Sequence, residues 1–213
     1  MLVVGGVLIL GAMTLSKASK GIAWGDGWHW PVPDLITPGG VRYPATISSG
    51  FRTIDRPTHD GVDIMYKRRS TTDMIAEFPP RVVDAGGAKA HPLYFAPIAT
   101  PILAARDGKV WSTTQLTNGL MVVLDHGKPW ATAYFHLASL HVPAHAGGKR
   151  ADGSPALQVK AGDQIGVMGH APNDGEKLRH LHFEAWFEGG NGRDAGQNPA
   201  PVMPTWGRST WTP

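Results

Sequence analysis

The chain has 213 residues, of which 42% are hydrophobic and 17% charged, and its formal net charge is +3 at pH 7. This length and composition predict one globular domain with additions and exclude a disordered chain. The absence of cysteine excludes disulfide bonds and thiolate metal sites, and the only run of basic residues, 67–69, is too short to favour nucleic acid as a partner.

The first 16 residues carry no charged side chain. This hydrophobic N-terminal segment, residues 1–20, is short for a membrane-spanning helix, which needs about 20 apolar residues. It also lacks the basic start and the cleavage site of a secretory signal. Three interpretations stay open: a marginal membrane anchor, an atypical export signal, or an apolar arm that contacts other proteins in an assembly such as a bacteriophage virion.

Residues 21–44 are rich in glycine, proline and tryptophan and have no hydrophobic periodicity. This composition predicts a linker or an irregular arm along the surface of a domain. Trp24, Trp28 and Trp30 are close together and could stack on carbohydrate or on a partner, or cover the edge of a core. We expect the edge of a core, because that is the commoner fate of such clusters.

A first pair of candidate metal ligands follows, His59 and Asp63 in a His-x-x-x-Asp arrangement. Gly61 lies between them and permits a sharp backbone path. Neutral imidazole and carboxylate are both good zinc ligands. The pair alone is weak support for a metal site, and it becomes strong only if further histidines of the chain join it.

Residues 65–96 show no sustained periodicity. They are predicted to form an insertion or a long surface loop. Long loops inside compact domains are often functional, so we expect this insertion to shape a substrate groove.

From residue 97 onward, short apolar segments alternate with turn signals at Asp107-Gly108, Asn118-Gly119 and His126-Gly127. Such turns join antiparallel strands, and the 27 glycines and 18 prolines also favour a β-rich chain with many turns. The sequence therefore predicts a mostly β fold, an antiparallel meander or sandwich with long loops. We place the domain at residues 45–200 and a C-terminal tail at 201–213. His136 ends one predicted strand, where a histidine can serve catalysis or form a hydrogen-bonded rim.

Residues 179–187 alternate between polar and apolar side chains. In a strand, one face would carry His180, His182, Glu184 and Trp186. The opposite face is apolar and suited to a core. Two imidazoles on one face suit a metal ligand with a catalytic neighbour, because neutral imidazole is the commonest metal ligand. One of them would complete a three-ligand site with the earlier pair, as in catalytic zinc, whereas structural zinc is closed by four ligands.

Six motifs occur in one order along the chain: His59-x-x-x-Asp63, then 101–110, 123–127, 134–137, 159–166 and His180-x-His182-x-Glu184. In this order the sequence resembles the lysostaphin/LytM-type zinc metalloendopeptidases, over about two thirds of its length. The resemblance implies an antiparallel β-sheet sandwich of the duplicated-hybrid-motif type, with a groove across the sheet.

The resemblance also implies roles for individual residues. His59, Asp63 and His182 would bind one zinc ion, and His136 and His180 would act on the substrate. The implied reaction is hydrolysis of peptide bonds in peptidoglycan stem or cross-bridge peptides by a water that the metal activates. Such an enzyme would act in the cell envelope or periplasm, outside the cell, or as part of a phage virion.

The sequence departs from the family pattern at three places. Phe51, Arg52 and Thr53 stand where many members carry a tyrosine, Arg179 stands where a Gly-Pro pair is common, and the 65–96 loop is long. These departures leave the cleaved bond open. A catalytically inactive relative that binds cell wall or regulates a partner is the alternative, although such relatives generally lose ligands and all five positions are filled here.

Overall fold

The computed structural model describes residues 23–70, 91–171, 177–188 and 195–213. The predictions for the hydrophobic segment 1–20 lie outside these ranges, as does the greater part of the predicted insertion, residues 71–90. Within the described ranges there is no α-helix, and hence no helix long and apolar enough to span a membrane.

The described residues form sixteen β-strands and one 3₁₀ turn, Met203–Thr205. The strands are β1 (Asp34–Ile36), β2 (Arg42–Tyr43), β3 (Ala45–Ser49), β4 (Val62–Lys67), β5 (Tyr94–Phe95), β6 (Pro101–Leu103), β7 (Gly108–Leu116), β8 (Gly119–Asp125), β9 (Trp130–Leu140), β10 (His145–Ala146), β11 (Lys149–Arg150), β12 (Gln158–Val159), β13 (Gln164–Met168), β14 (Leu181–Phe187), β15 (Gly196–Gln197) and β16 (Thr210–Trp211). The predicted mostly β fold is therefore confirmed.

The main sheet runs in the order β12-β7-β8-β9-β14-β4-β3, and every neighbouring pair is antiparallel. Strand β13 pairs with both β9 and β6 and so extends the sheet beside this path. The hairpin β7–β8 turns at Asn118-Gly119 and β7 begins at Gly108, where the turn residues predict strand ends. This sheet carries every candidate functional residue on it or next to it.

The alternation predicted for 179–187 is present in β14. Leu181, Phe183 and Ala185 are fully buried in the main apolar core, while His182 and Glu184 lie on the opposite face. A buried side chain of this size stabilises a fold by about 1.5–3 kcal/mol. One face of the strand therefore anchors it, and the other presents polar groups.

Residues 23–44, predicted as a linker or surface arm, contribute Trp28, Trp30 and Leu35 to the core. Strand β1 of this segment pairs in parallel with β16, and the predicted tail 201–213 adds Met203 and Trp206 to the same core. The indole rings explain this packing, because burying a tryptophan removes a large apolar surface from water. The limits of the domain, placed at 45–200, stay a prediction.

A buried carboxylate holds these two segments together. Asp34 is only 1% exposed, and its oxygens accept hydrogen bonds from the backbone N–H of Ala45 at 3.0 Å and from Nε of Arg42 at 3.0 Å. Arg208, next to β16, donates to the same carboxylate. Buried charges need such partners, since an unpaired one costs several kcal/mol.

Candidate metal centre

Three ligand atoms from two distant parts of the sequence meet on the polar face of the main sheet. Nε2 of His59 lies 2.9 Å from Oδ1 of Asp63 and 3.0 Å from Nδ1 of His182. The third side of the triangle, from His182 Nδ1 to Asp63 Oδ1, is 2.9 Å. These three residues form a group that could hold a metal ion.

Strand pairing brings the three residues together. Asp63 in β4 is directly opposite His182 in β14, and His59 lies in the loop just before β4. Gly61 permits this approach: a Cβ there would lie 2.4 Å from the carbonyl oxygen of Phe183 and 2.9 Å from Cγ of Glu184. Only a residue without a side chain lets this loop lie so close to β14.

Hydrogen bonds fix which ring nitrogens face the centre. Nδ1 of His59 is 2.6 Å from the carbonyl oxygen of Gly50, which can only accept, so Nδ1 carries the proton and Nε2 keeps its lone pair. Nε2 of His182 is 3.0 Å from Oε1 of Glu184 and donates to that carboxylate. In metal sites, ligating histidines donate their second N–H to a carbonyl or carboxylate in this way.

Contacts within the cluster shift the pKa values of Asp63 and His182. Burial alone would raise the pKa of Asp63, but the hydrogen bond from His182, the contact with His59 and the electrostatic influence of His180 outweigh it and hold that pKa well below its usual range. Burial would lower the pKa of His182, yet its hydrogen bonds to Asp63 and Glu184 raise it to about 9. The proton on His182 Nδ1 thus lies between two acceptors, at the point where a cation would be bound.

The donor set fits zinc. Two imidazole nitrogens and a carboxylate oxygen are its usual ligands in catalytic sites, and bonds of about 2.0–2.2 Å in a tetrahedron separate ligand atoms by about 3.3–3.6 Å. The observed separations of 2.9–3.0 Å require only a small opening to reach that spacing. A metal must displace the proton of His182, because ligating imidazole is neutral.

The two predicted catalytic histidines lie beside this centre. Nε2 of His180 is 3.9 Å from Oδ1 of Asp63. The ring centroid of His136 is 4.7 Å from that of His180 and 5.9 Å from that of His182. The structure therefore brings together all five residues for which the sequence predicts a role in the site.

Backbone carbonyls orient both of these rings. Nδ1 of His136 donates to the carbonyl of Asn118 at 2.9 Å, and Nδ1 of His180 donates to that of Leu178 at 2.8 Å. Each ring therefore keeps Nε2 as a proton acceptor. Burial, together with the neighbouring His180, lowers the pKa of His136 to about 4, so His136 is neutral near pH 7.

The backbone of His136 is also unusual. Its φ of 63° lies in the left-handed region, which a residue with a Cβ rarely adopts. Gly169 permits the turn, because a Cβ there would lie 2.5 Å from the carbonyl oxygen of His136. Strained residues of this kind concentrate at functional sites.

Two residues without a role predicted from the sequence, Glu184 and Arg56, support the metal ligands. The strand period predicts that Glu184 shares a face with His182, and this spacing of two residues is a usable signal for a supporting carboxylate. Arg56 donates to the second carboxylate oxygen of Asp63 and to the hydroxyl of Ser49, both at 2.7 Å. No sequence motif predicts this role for Arg56, because Arg56 lies in a loop with irregular backbone.

Residues 93–195 match the family model of Peptidase family M23. This range contains His136, His180 and His182, whereas His59 and Asp63 precede it. The cell division protein DipM of Caulobacter vibrioides is 35% identical over 91 residues, which are 42% of this chain. The chain spans only 13% of the length of that curated relative.

Among solved structures, LytM from Ruminococcus gnavus has a similar fold, with a TM-score of 0.53 and 18% identity, covering 88% of this chain and 64% of that protein. The catalytic domain of lysostaphin from Staphylococcus simulans aligns with a TM-score of 0.48 and 20% identity, covering 76% of this chain and 92% of that domain. The likeness to LytM shows a shared fold.

Proposed function

Since residues 93–195 match the model of Peptidase family M23, we propose that the chain is a member of this family and a zinc-dependent endopeptidase that hydrolyses peptide bonds in bacterial peptidoglycan. One observation carries the proposal: the ligand atoms of His59, Asp63 and His182 converge within 3.0 Å of one another. Three protein ligands are the number that a catalytic zinc site uses. The substrate lies in the cell envelope, so the enzyme acts there or outside the cell.

In this proposal His59 Nε2, Asp63 Oδ1 and His182 Nδ1 hold the ion. Bound zinc supplies a Lewis acid that lowers the pKa of water and polarises a carbonyl group. Glu184 keeps the ring of His182 in place, and Arg56 does the same for the carboxylate of Asp63. These contacts hold the three ligand atoms in one arrangement before substrate binds.

The chain supplies the proton transfers through the two remaining histidines. His136 is neutral near pH 7 and its Nε2 can accept a proton from the attacking water. His180 has its Nε2 close to the ligand cluster. In its protonated form, His180 can donate a hydrogen bond to the oxygen that becomes negative when the peptide carbonyl is attacked. His136 then passes this proton to the leaving amine, and the hydrogen bond from His180 ends when the carbonyl group re-forms, so both rings return to their starting states.

The test uses purified full-length chain and isolated peptidoglycan. We expect chelator to abolish the release of new amino groups and added zinc to restore it. His182→Ala and Asp63→Ala should lose bound metal and activity together. His136→Asn and His180→Asn should keep the metal and lose about 10²–10⁴-fold in rate, the usual contribution of general acid–base catalysis.

Two results would contradict the proposal. Equal hydrolysis with and without chelator would remove the zinc mechanism. Binding to peptidoglycan with no new amino groups at any metal concentration would instead identify the chain as an inactive wall-binding or regulatory relative. Mass spectrometry of digested muropeptides of known structure would identify the cleaved bond.

A further inference from the structure

A cavity lies on the polar face of the main sheet, beyond the ligand cluster. Its volume is about 430 Å³, and its lining includes Trp111, Met121, Val123, Ala131 and Trp186. This volume falls in the range of about 300–1,000 Å³ that small-molecule sites occupy. The residues of the proposed mechanism do not line it, so its occupant is a part of the substrate away from the cleaved bond, or another molecule.

Strand register places the cavity on the same face as the metal ligands. His182 is opposite Phe135 in β9, and Trp186, four residues further along β14, is opposite Ala131. Four residues of a strand span about 13 Å. A single extended substrate lying along this face would therefore reach both the ligand cluster and the cavity.

One wall of the cavity is an exposed aromatic ring held in a fixed position. Trp111 is 44% exposed and lies at a shift of register between Val110 and Ser112, an irregularity of the kind that can redirect a side chain. The ring packs against Gly148, where a Cβ would lie 3.0 Å from the indole. A large apolar ring therefore remains partly exposed to water although it packs closely against Gly148.

Two further lining residues, Trp186 and Ala131, differ from the exposed Trp111. Trp186 is buried, and its indole N–H is used by Glu184 at 2.6 Å, so this ring offers only apolar surface to the cavity. Ala131, the strand partner of Trp186 in β9, also lines the cavity, so a larger side chain there would reduce its volume.

Polar groups lie at the rim of the cavity. Ser112, Asp125 and Lys128 line it, and the carboxylate of Asp125 is paired with Lys109 at 3.2 Å. An apolar trough whose rim mixes a hydroxyl, a neutralised carboxylate and one ammonium group matches a ligand with an apolar face and several uncharged hydroxyl or amide groups. A pyranose ring has this character, because its C–H groups form a face and its hydroxyl groups lie at the edge.

We propose that this cavity binds a sugar ring of the glycan strand while the attached peptide reaches the ligand cluster. The proposal rests on the proposed function, since it assumes a substrate in which sugar and peptide are joined. The trough has room for a sugar ring, and the apolar face of such a ring could stack on Trp111. Trp111 is thus a residue that determines substrate binding and takes no part in the chemistry.

The experiment measures binding of a peptide-free sugar to the full-length chain. The probe is the trimer of β-1,4-linked N-acetylglucosamine, followed by calorimetry and by saturation-transfer NMR. We expect saturable binding that weakens about tenfold in Trp111→Ala and in Ala131→Leu, which reduces the volume of the cavity. Ile98→Ala is the matched control, because Ile98 is also a large exposed apolar residue, 53% exposed, outside the cavity, and it should bind as the unmodified chain does.

The outcomes separate this proposal from the proposed function. Sugar binding without any hydrolysis would refute the enzymatic function and leave the cavity assignment standing. Hydrolysis of peptidoglycan with no sugar binding would overturn the cavity assignment alone. Unchanged affinity in both folded cavity variants, or displacement of the sugar by a sugar-free stem peptide, would also overturn it.

Discussion

Nε2 of His182 lies 3.0 Å from Oε1 of Glu184, and Oε2 of the same carboxylate accepts a hydrogen bond from the indole of Trp186 at 2.6 Å. One carboxylate therefore orients a ligand atom of the metal centre and fixes a wall of the neighbouring cavity. The three residues alternate along one strand, so the sheet itself sets their spacing. The centre and the cavity share a rigid support, which is what a precisely placed site requires.

The first prediction concerns Glu184→Gln. An amide has one acceptor oxygen, so one of the two donors, His182 Nε2–H or Trp186 Nε1–H, would be left facing an NH₂ group. We expect zinc affinity to fall about 10–100-fold, the usual effect of removing the carboxylate partner of a ligating histidine. Competition with a fluorescent chelator of known affinity measures this change.

Glu188→Gln is the matched control, because it removes the same charge from an exposed position on the same segment. The affinity of this variant should equal that of the unmodified chain. Equal losses in both variants would mean that net charge, and not the orientation of His182, governs metal binding.

The second prediction concerns Gly61→Ala. The added methyl group would lie 2.4 Å from the carbonyl oxygen of Phe183, and this contact is with backbone and cannot be relieved by a side-chain rotation. The loop that carries His59 must then move away from β14. We expect a loss of stability of about 1–3 kcal/mol, the usual cost of overpacking, and a loss of metal binding that exceeds what the lower stability explains.

Gly39→Ala serves as the comparison for this prediction. Gly39 has ordinary backbone geometry, and a Cβ there would meet only the hydroxyl of Thr37, at 3.9 Å. Urea unfolding and zinc titration should leave Gly39→Ala near the unmodified chain. Full zinc affinity in folded Gly61→Ala would show that the close approach of the loop is unnecessary.

Part of this site can be predicted from the sequence because strands have a strict period of two. That period places His182 and Glu184 on one face and Phe183 on the other, as the structure shows. The short spacing of His59 and Asp63 likewise predicts proximity without knowledge of the fold. The pairing of Asp63 with His182 could be expected only through the resemblance to a family, since strand order is a property of the whole sheet.

Other features have no local signal. The carbonyl of Gly50 and the guanidinium group of Arg56 reach the ligands through irregular loop backbone, which has no periodicity to interpret. The tryptophan cluster predicts the edge of a core, but the pairing of residues 23–44 with the rest of the fold escapes a local analysis, because glycine and proline around Trp28 and Trp30 favour a linker. Their positions depend on the pairing of β1 with β16, from the other end of the chain.

The third prediction tests that pairing through Asp34→Asn. The neutral amide cannot balance Arg42 and Arg208, and it offers only one acceptor oxygen where the carboxylate uses two. Hydrogen bonds to charged groups contribute about 1.5–3 kcal/mol each. Because both arginines are partly exposed to water, we expect a total loss of about 2–3 kcal/mol in the free energy of unfolding, measured by urea denaturation.

Asp26→Asn is the control for Asp34→Asn. Asp26 is in the same N-terminal segment and is exposed, so its substitution should change the unfolding free energy by less than about 0.5 kcal/mol. A midpoint shift in Asp34→Asn no larger than that of the control would mean that the buried carboxylate does not hold the two segments together.

The fourth prediction concerns the pH dependence of stability and rests on His126. Nδ1 of His126 donates to the carbonyl of Asp107 at 2.9 Å, and Nε2 accepts from the hydroxyl of Thr132 at 2.8 Å. Burial lowers the pKa of His126 to about 4; the hydrogen bond to Asp107 opposes this shift and the charge of Arg106 adds to it. A proton on Nε2 would remove the acceptor that Thr132 uses.

The folded pKa lies below the value of about 6.5 in an unfolded chain, so the unfolded chain binds the proton first. The stabilisation is complete above pH 6.5 and is lost as the pH falls toward 4. Between pH 7.5 and pH 5, we expect His126 to account for a loss of about 2 kcal/mol in unfolding free energy. In His126→Gln this part of the slope should disappear, while the contribution of His136, whose pKa is also about 4, stays in both proteins and cancels. Parallel urea titrations at the two pH values measure the difference, and an identical slope in the two proteins would rule out His126 as its source.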